Sequence, residues 1–486
     1  MPDRDRPGWR RSAQLMLVFG VFAGTVATAM PARAPGQPLL TIAGAAQIPC
    51  QQRAQPVPPG LNDRFEPGSS ILVTAAGTYV APGRLTGLTT AQSACAAAAE
   101  RADRDWLRAG LVPGVTPAQR SMAARALLDL KLAVQPDGAV LAGWHRGWAY
   151  AWPRDSSWVA AALAQTGHPA MAYQILVFLQ RMQARDGTWA ARYLPGGSGP
   201  VRDGRPAELD ADGWVPWAVW SWAQTQPLTP GSPARRELAR LWPMVTAAAD
   251  AAGRSLTGDG LPGPAMDYWE DSVSVTLGTA APLLAGLRAA ADLAADMGGA
   301  TAGGDARRWS AVAGRLAGAI TAAFGPVGYQ RRPQTGSGAD AAVTFLGPPF
   351  ARPGAEVLRA AASAQQVLTV PNGGLRPGAA WPGTPGVAWT PETAFFALFD
   401  AATGQHAQAT ALLDWLAAHR TKLGSLPEQV NSAGQPASTA PLSLTDAAVL
   451  LTLLAQAGRL PTVPARAPGE RDRDLDGGAD EGGYGG

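Results

Sequence analysis

The chain has 486 residues, 47% hydrophobic and 16% charged, with a formal net charge of +3. That length buries a large apolar core unaided, and two cysteines with four histidines exclude a disulfide scaffold, an iron–sulfur cluster, a thiolate zinc site and a His-rich metal centre, so no metal or cofactor is expected. Arginines are scattered and Lys131 and Lys422 are the only lysines, which gives no phosphate-tracking stripe and no expectation of nucleic-acid binding.

Residues 1–36 read as a signal peptide or N-terminal anchor. Arg4, Arg6, Arg10 and Arg11 precede an apolar run over 15–30, and Ala27-Thr28-Ala29 offers a small-x-small cleavage site. The expected localisation is secreted, or anchored by that segment on the outer side of the cytoplasmic membrane. In an oxidising compartment Cys50 and Cys95 are able to pair. Residues 37–69, rich in Pro, Gly and Gln, read as a linker, and 71–88 as a β-hairpin broken at Pro82-Gly83.

Helical stretches follow at 91–109, 117–133, 156–166, 169–184, 213–225, 233–253, 276–297, 304–324, 355–363, 391–402, 406–420 and 442–457. Thr116-Pro117, Ser232-Pro233 and Thr390-Pro391 each put a capping residue before a proline at the first helical position. Gly253, Gly298 and Gly404 stand where helices stop. Several stretches, such as 158–163 and 447–454, are apolar on nearly all faces and belong inside a larger assembly. No fixed-period repeat is visible. A domain over 70–460, made of the short N-terminal β segment and a double ring of helices, accounts for both number and burial, with long loops gathered at one end to build a site. Residues 461–486 lack apolar content and read as a disordered tail.

Seventeen tryptophans supply core packing and flat platforms whose apolar face and N–H donor suit a sugar. Four segments stand out, three of which set carboxylates beside aromatics. In 144–157, Pro153 excludes a helix interior, so Arg154 and Asp155 are expected on a loop floored by Trp148, Tyr150 and Trp152. In 208–222, Asp210 and Asp212 precede four tryptophans. In 266–272, Glu270 lies between Asp267 and Asp271 and beside Tyr268 and Trp269, where like-charge repulsion and desolvation are expected to keep one carboxyl protonated as a general acid. In 424–430, Glu428 follows Pro427 on a loop before the last helix. Two glutamates on either side of a scissile bond would hydrolyse a glycoside, with one acting on water as a base.

The ordered set resembles the glucoamylase-type hydrolases of glycoside hydrolase family 15 over roughly residues 140–457. Trp152-Pro153-Arg154-Asp155 resembles the family's sugar-binding W-x-R-D segment, Asp267-Tyr268-Trp269-Glu270 its acid segment, and Leu426-Pro427-Glu428-Gln429 its base segment. Gln183 to Trp189, Glu208-Leu209-Asp210 and Gly373-Gly374-Leu375-Arg376 look like further landmarks. The resemblance implies an all-α (α/α)6 barrel and an inverting exo-hydrolase that releases glucose from the non-reducing end of an α-glucan or α-gluco-oligosaccharide; a monomer is the separate expectation. It implies Glu270 as acid and Glu428 as base. Trp148, Trp152, Arg154, Asp155, Asp210, Trp269, Asp271 and Arg376 would be substrate-binding. Three positions depart from the family pattern: Leu444 replaces a tryptophan, Trp148 a tyrosine and Glu208 a glutamine, and Asp446 follows close after Leu444. A non-catalytic carbohydrate-binding protein, or a phosphorylase on the same barrel, are the alternatives.

Overall fold

A computed structural model describes residues 37–51, 53–60, 63–74, 77–78 and 89–464. The expected signal or anchor segment, Pro82-Gly83 and the tail from 465 lie outside the described residues.

Residues 37–69, expected as a linker, instead form strands β1 (Leu40–Ile42), β2 (Gly44–Gln47), β3 (Ala54–Val57) and β4 (Arg64–Phe65). β2 and β3 pair as an antiparallel hairpin. β4 pairs with β5 (Leu72–Thr74), which pairs with β6 (Gly77–Thr78), so this chain reversal falls before Gly77, ahead of the expected break. Pro and Gly marked turns here rather than a free tether. The segment is bonded to the body at several points. Arg125 donates to the Ser69 carbonyl at 3.0 Å and the Ser70 hydroxyl at 2.9 Å, and Thr421 to the Ala43 carbonyl at 2.7 Å. Cys50 and Cys95 are joined in a disulfide.

Helix α1 (Thr90–Ala109), started by a Thr89–Gln92 capping box, packs on the outside of α2. From there outer and inner elements alternate. α2 (Pro117–Ala133) is outer and α3 (Pro153–Gln165) inner; α4 (Pro169–Met182) is outer and α5 (Ala211–Ala223) inner; α6 (Pro233–Ser255) is outer and α7 (Leu277–Met297) inner. α8 (Ala300–Phe324) is outer. The next inner stave is only a 3₁₀ segment, Ala341–Leu346, followed by outer α9 (Ala355–Leu368), inner α10 (Thr390–Ala402), outer α11 (His406–Ala418) and inner α12 (Ser443–Gln456). Each inner element packs on the next and α12 closes the ring on α3, which makes an (α/α)6 barrel. The twelve expected helices are all present, but α1 lies outside the ring, and the fourth inner stave is a segment that helical periodicity does not reveal.

The inner helices are buried over nearly all their length, and the outer ones bury one face. Gly213 and Gly286 let α5 and α7 touch backbone to backbone: a Cβ on Gly213 would lie 2.1 Å from the Pro282 carbonyl oxygen. Trp158 of α3 contacts Phe395 of α10 at 5.0 Å, and Trp214 of α5 contacts Phe345 of the 3₁₀ stave at 5.1 Å. Neither pair comes from neighbouring staves, so these rings meet across the barrel axis. Each such pair contributes about 0.5–1.5 kcal/mol beyond its buried area. No helix among the described residues is long and apolar enough to cross a membrane.

Candidate active site

The alternation puts every outer-to-inner connection at one end, where the inner helices begin. Four of these helices carry an acidic residue in the first turn: Asp155 in α3, Asp212 in α5, Glu392 in α10 and Asp446 in α12. Helix N-termini favour negative charge, which offsets part of the cost of burying so many carboxylates.

Pro153 occupies the first turn of α3, so Arg154 and Asp155, expected on the preceding loop, are helical. Proline loses nothing there, because that N–H has no helical partner in any case. Buried Arg154 donates to Glu208 at 2.5 Å and to Asp210 at 3.1 Å, and its Nε lies 3.6 Å from Asp155. One guanidinium thus serves three carboxylates. Burial pushes Asp155 up to about 6, with Asp210 adding to the rise and Arg154 opposing it. Burial also raises Glu208, against the pull of Arg154. Asp210 precedes α5 and accepts the Trp214 indole N–H at 3.2 Å.

Glu270 stands between the short antiparallel strands β7 (Ala265–Met266) and β8 (Val273–Ser274). Its φ of 53° is left-handed, a conformation that non-glycine residues adopt only when their surroundings hold them there. Those surroundings are specific. The Asp267 carbonyl accepts the Glu270 N–H at 2.9 Å, and the Asp267 carboxylate accepts the Trp269 N–H at 3.1 Å. Arg331 donates to Asp267 at 2.9 Å and to Asp271 at 2.6 Å, and its guanidinium lies 3.6 Å from the Trp269 ring centroid. Trp269 fits because Gly378 has no side chain; a Cβ there would sit 2.2 Å from the indole. The expected repulsion among three neighbouring carboxylates is therefore relieved by Arg331. Asp267 is raised by burial, with Arg331 pulling against that rise. At Asp271 burial pushes upward, but the Arg331 hydrogen bonds and charge bring it below its ordinary value. Asp271, expected to face substrate, is engaged by this arginine. The Glu270 carboxylate accepts the Trp152 indole N–H at 3.0 Å and forms an ion pair with Arg205, which also meets Asp203 at 3.1 Å.

Glu428 directly precedes β10 (Gln429–Val430), which lies between β9 (Ala388–Trp389) and β11 (Pro436–Thr439) in a sheet ordered β1-β11-β10-β9. Its N–H donates to the Thr439 carbonyl at 2.8 Å, and its own carbonyl accepts the Thr390 N–H at 3.0 Å. Its carboxylate accepts the Trp148 indole N–H at 3.3 Å and the Ser438 hydroxyl. Buried Glu392 is pushed up to about 8 by burial, then by the Glu428 and Asp340 carboxylates. The Arg376 Nε is buried without a hydrogen-bond partner among the described residues. Leu444 is buried at the start of α12. Asp446 is buried near Asp129 and Arg125, and burial raises its carboxyl, with Asp129 adding to the rise.

Trp148 and Trp152 sit four residues apart on one loop and reach Glu428 and Glu270 respectively, so a single aromatic segment brings the two distant glutamates together. Trp269, Arg154, Asp155 and Asp210 join them at the same rim. Sequence reading missed Arg331, Arg205, Ser438 and Glu392. Only Glu392, next to the Thr390-Pro391 helix start, carried a local signal.

No family model matches the chain, and no curated protein matches it in sequence. Solved structures do. A wild-type glycosidase is 21% identical, with 72% of this chain and all of that one covered and a TM-score of 0.59. A glycosidase variant in complex with glucose is 20% identical, with the same coverage and a TM-score of 0.58. The glycoside hydrolase family 15 glucoamylase from Hypocrea jecorina is 15% identical over 71% of this chain and 70% of its own, at a TM-score of 0.54. What the chain shares with these proteins is the helical barrel.

Proposed function

We propose that the protein is a glycoside hydrolase: an inverting, exo-acting enzyme that releases glucose from the non-reducing end of an α-glucan or α-gluco-oligosaccharide. The observation that carries this reading is the pair of glutamates, Glu270 and Glu428, each held by an indole N–H from the same loop. In this reading Glu270 protonates the glycosidic oxygen while Glu428 takes a proton from water, which attacks the anomeric carbon from the opposite face. Arg154, Asp155 and Asp210 hold the outer hydroxyls of the terminal sugar, and Trp148, Trp152 and Trp269 line its apolar faces, with Arg376 beside them. Rings filling the barrel beneath the rim fit a site open at one end. Export or outer-face attachment through residues 1–36, and action as a monomer, belong to the same proposal. The likeness in fold to glycosidases supports it.

The test is incubation with maltose, maltotriose, isomaltose, dextran and trehalose, following the released glucose by NMR. From the non-reducing ends of maltotriose and dextran, β-glucose is expected as the first product; trehalose, whose two anomeric carbons share one oxygen, would give equal β- and α-glucose. First release of α-glucose from dextran would overturn inversion, cleavage only in the presence of phosphate, with glucose 1-phosphate as the product, would make the protein a phosphorylase, and binding without release would make it a carbohydrate-binding barrel.

A further inference from the structure

We propose that the N-terminal strand β1 is a brace for Glu428, acting through Thr41 and Ser438, so that the segment preceding the barrel positions the proposed base. The inference rests on Glu428 being the base. β1 runs parallel to β11 as the edge strand of the sheet that carries Glu428. Its bonds converge on Ser438: the Ser438 N–H donates to the Leu39 carbonyl at 3.0 Å, and the Thr41 hydroxyl donates to the Ser438 carbonyl at 2.6 Å. On either side, Ala440 N–H donates to the Ile42 carbonyl at 3.0 Å and Ser432 N–H to the Gln37 side chain at 2.9 Å.

Ser438 needs that support. Its φ is 66°, left-handed for a residue with a side chain, inside a strand. Such a backbone persists only when its surroundings over-determine it. In this conformation its hydroxyl reaches the Glu428 carboxylate. Without β1, one N–H and one carbonyl of Ser438 lose their partners, and the residue is free to relax to an ordinary strand conformation that swings the hydroxyl away. Because strand residues alternate faces, a one-residue adjustment turns the side chain from the carboxylate to the far side of the sheet. Thr41 is thus a positioning residue that never touches substrate. The Ala27-Thr28-Ala29 cleavage site lies upstream of β1, so cleavage there leaves the brace whole.

The experiment compares the full chain with Thr41→Pro, which breaks the strand, Thr41→Val, which removes only the hydroxyl, and Thr41→Ser, which restores it. Each is followed by kcat, KM, the pH–rate profile and the ¹⁵N–¹H signal of the Trp148 indole, assigned with Trp148→Phe. Thr41→Pro is expected to lower kcat at least tenfold with KM within twofold. It should also move the acid limb of the profile to higher pH, because a donor to the ionised carboxylate is withdrawn, and shift the Trp148 signal. Thr41→Val should do the same more weakly, and Thr41→Ser should match wild type. A folded Thr41→Pro protein with wild-type kcat, acid limb and Trp148 signal overturns the brace. If Thr41→Pro does not fold, identity of Thr41→Val with wild type overturns it. An inactive wild type, or a fully active Glu428→Gln, would sink the hydrolase reading instead, and the Trp148 signal would still decide whether β1 holds Glu428 in place.

Discussion

Glu270 lies on the turn of a two-rung hairpin with its side chain 23% exposed and arginines close by. Glu428 is 6% exposed, fixed at the start of a strand in a four-stranded sheet, and its carboxylate accepts from a neutral indole and a neutral hydroxyl. The proposed acid is surrounded by ionic bonds around a short turn, whereas the proposed base is placed by backbone ladders, an indole N–H and a hydroxyl among the described residues. On the proposed reading, the difference suits the two tasks. A group that must gain and lose a proton near a leaving group needs access and adjustable charge around it. A group that must stay ionised and aim at one water needs fixed donors.

Several changes separate the two sides. Arg331→Ala leaves Asp267 buried without its partner, and breaking a buried pair in this way typically costs about 3–5 kcal/mol. A large fall in denaturant midpoint is expected, and an unchanged midpoint would mean that the ionic cluster does not hold the hairpin. Glu270→Gln and Glu428→Gln should each lower kcat by about 100-fold or more if each supplies acid or base catalysis, with circular dichroism unchanged. Survival of either activity removes that residue from its role. Trp148→Phe removes one donor to an ionised group, for which roughly 1.5–3 kcal/mol is typical, so a fall in kcat of about tenfold or more is expected from kinetics at saturating substrate. Raising pH deprotonates Glu392, whose carboxyl is held neutral up to about 8. Its folded value lies above the unfolded one, so stability falls as pH rises from the ordinary glutamate range through about 8. Glu392→Gln should flatten that decline in melts taken between pH 5 and 9. Arg205→Ala should have the smallest effect: with the cation gone Glu270 keeps its proton to higher pH, and the basic limb of the pH–rate profile moves upward. A downward shift would mean that Arg205 does not act on the acid.

The legible parts of the molecule were those whose signal is local. Trp152, Arg154 and Glu270 each sit in a short run that mixes aromatics with charge, and Glu428 directly follows a proline. The inner helices announced themselves by being apolar on most faces. Pro153 was misread because a proline marks a loop and a first helical turn equally well. The 3₁₀ stave was hidden because six residues are too few to show a helical period. Arg331 and β1 act through partners about 60 to 400 residues away in sequence, and no run of neighbours encodes such a meeting.

The rings that meet across the barrel axis have a consequence for traffic. They begin about one helical turn beyond the first residues of α3, α5 and α10, roughly 5–10 Å deeper at 1.5 Å per residue, and they make the interior a blind alley. On the proposed reading, a freed glucose lies at its inner end with the shortened chain still in front of it. The chain must withdraw before the sugar can leave, so each cleavage is followed by a complete departure, and the enzyme would visit many chain ends in turn instead of travelling along one.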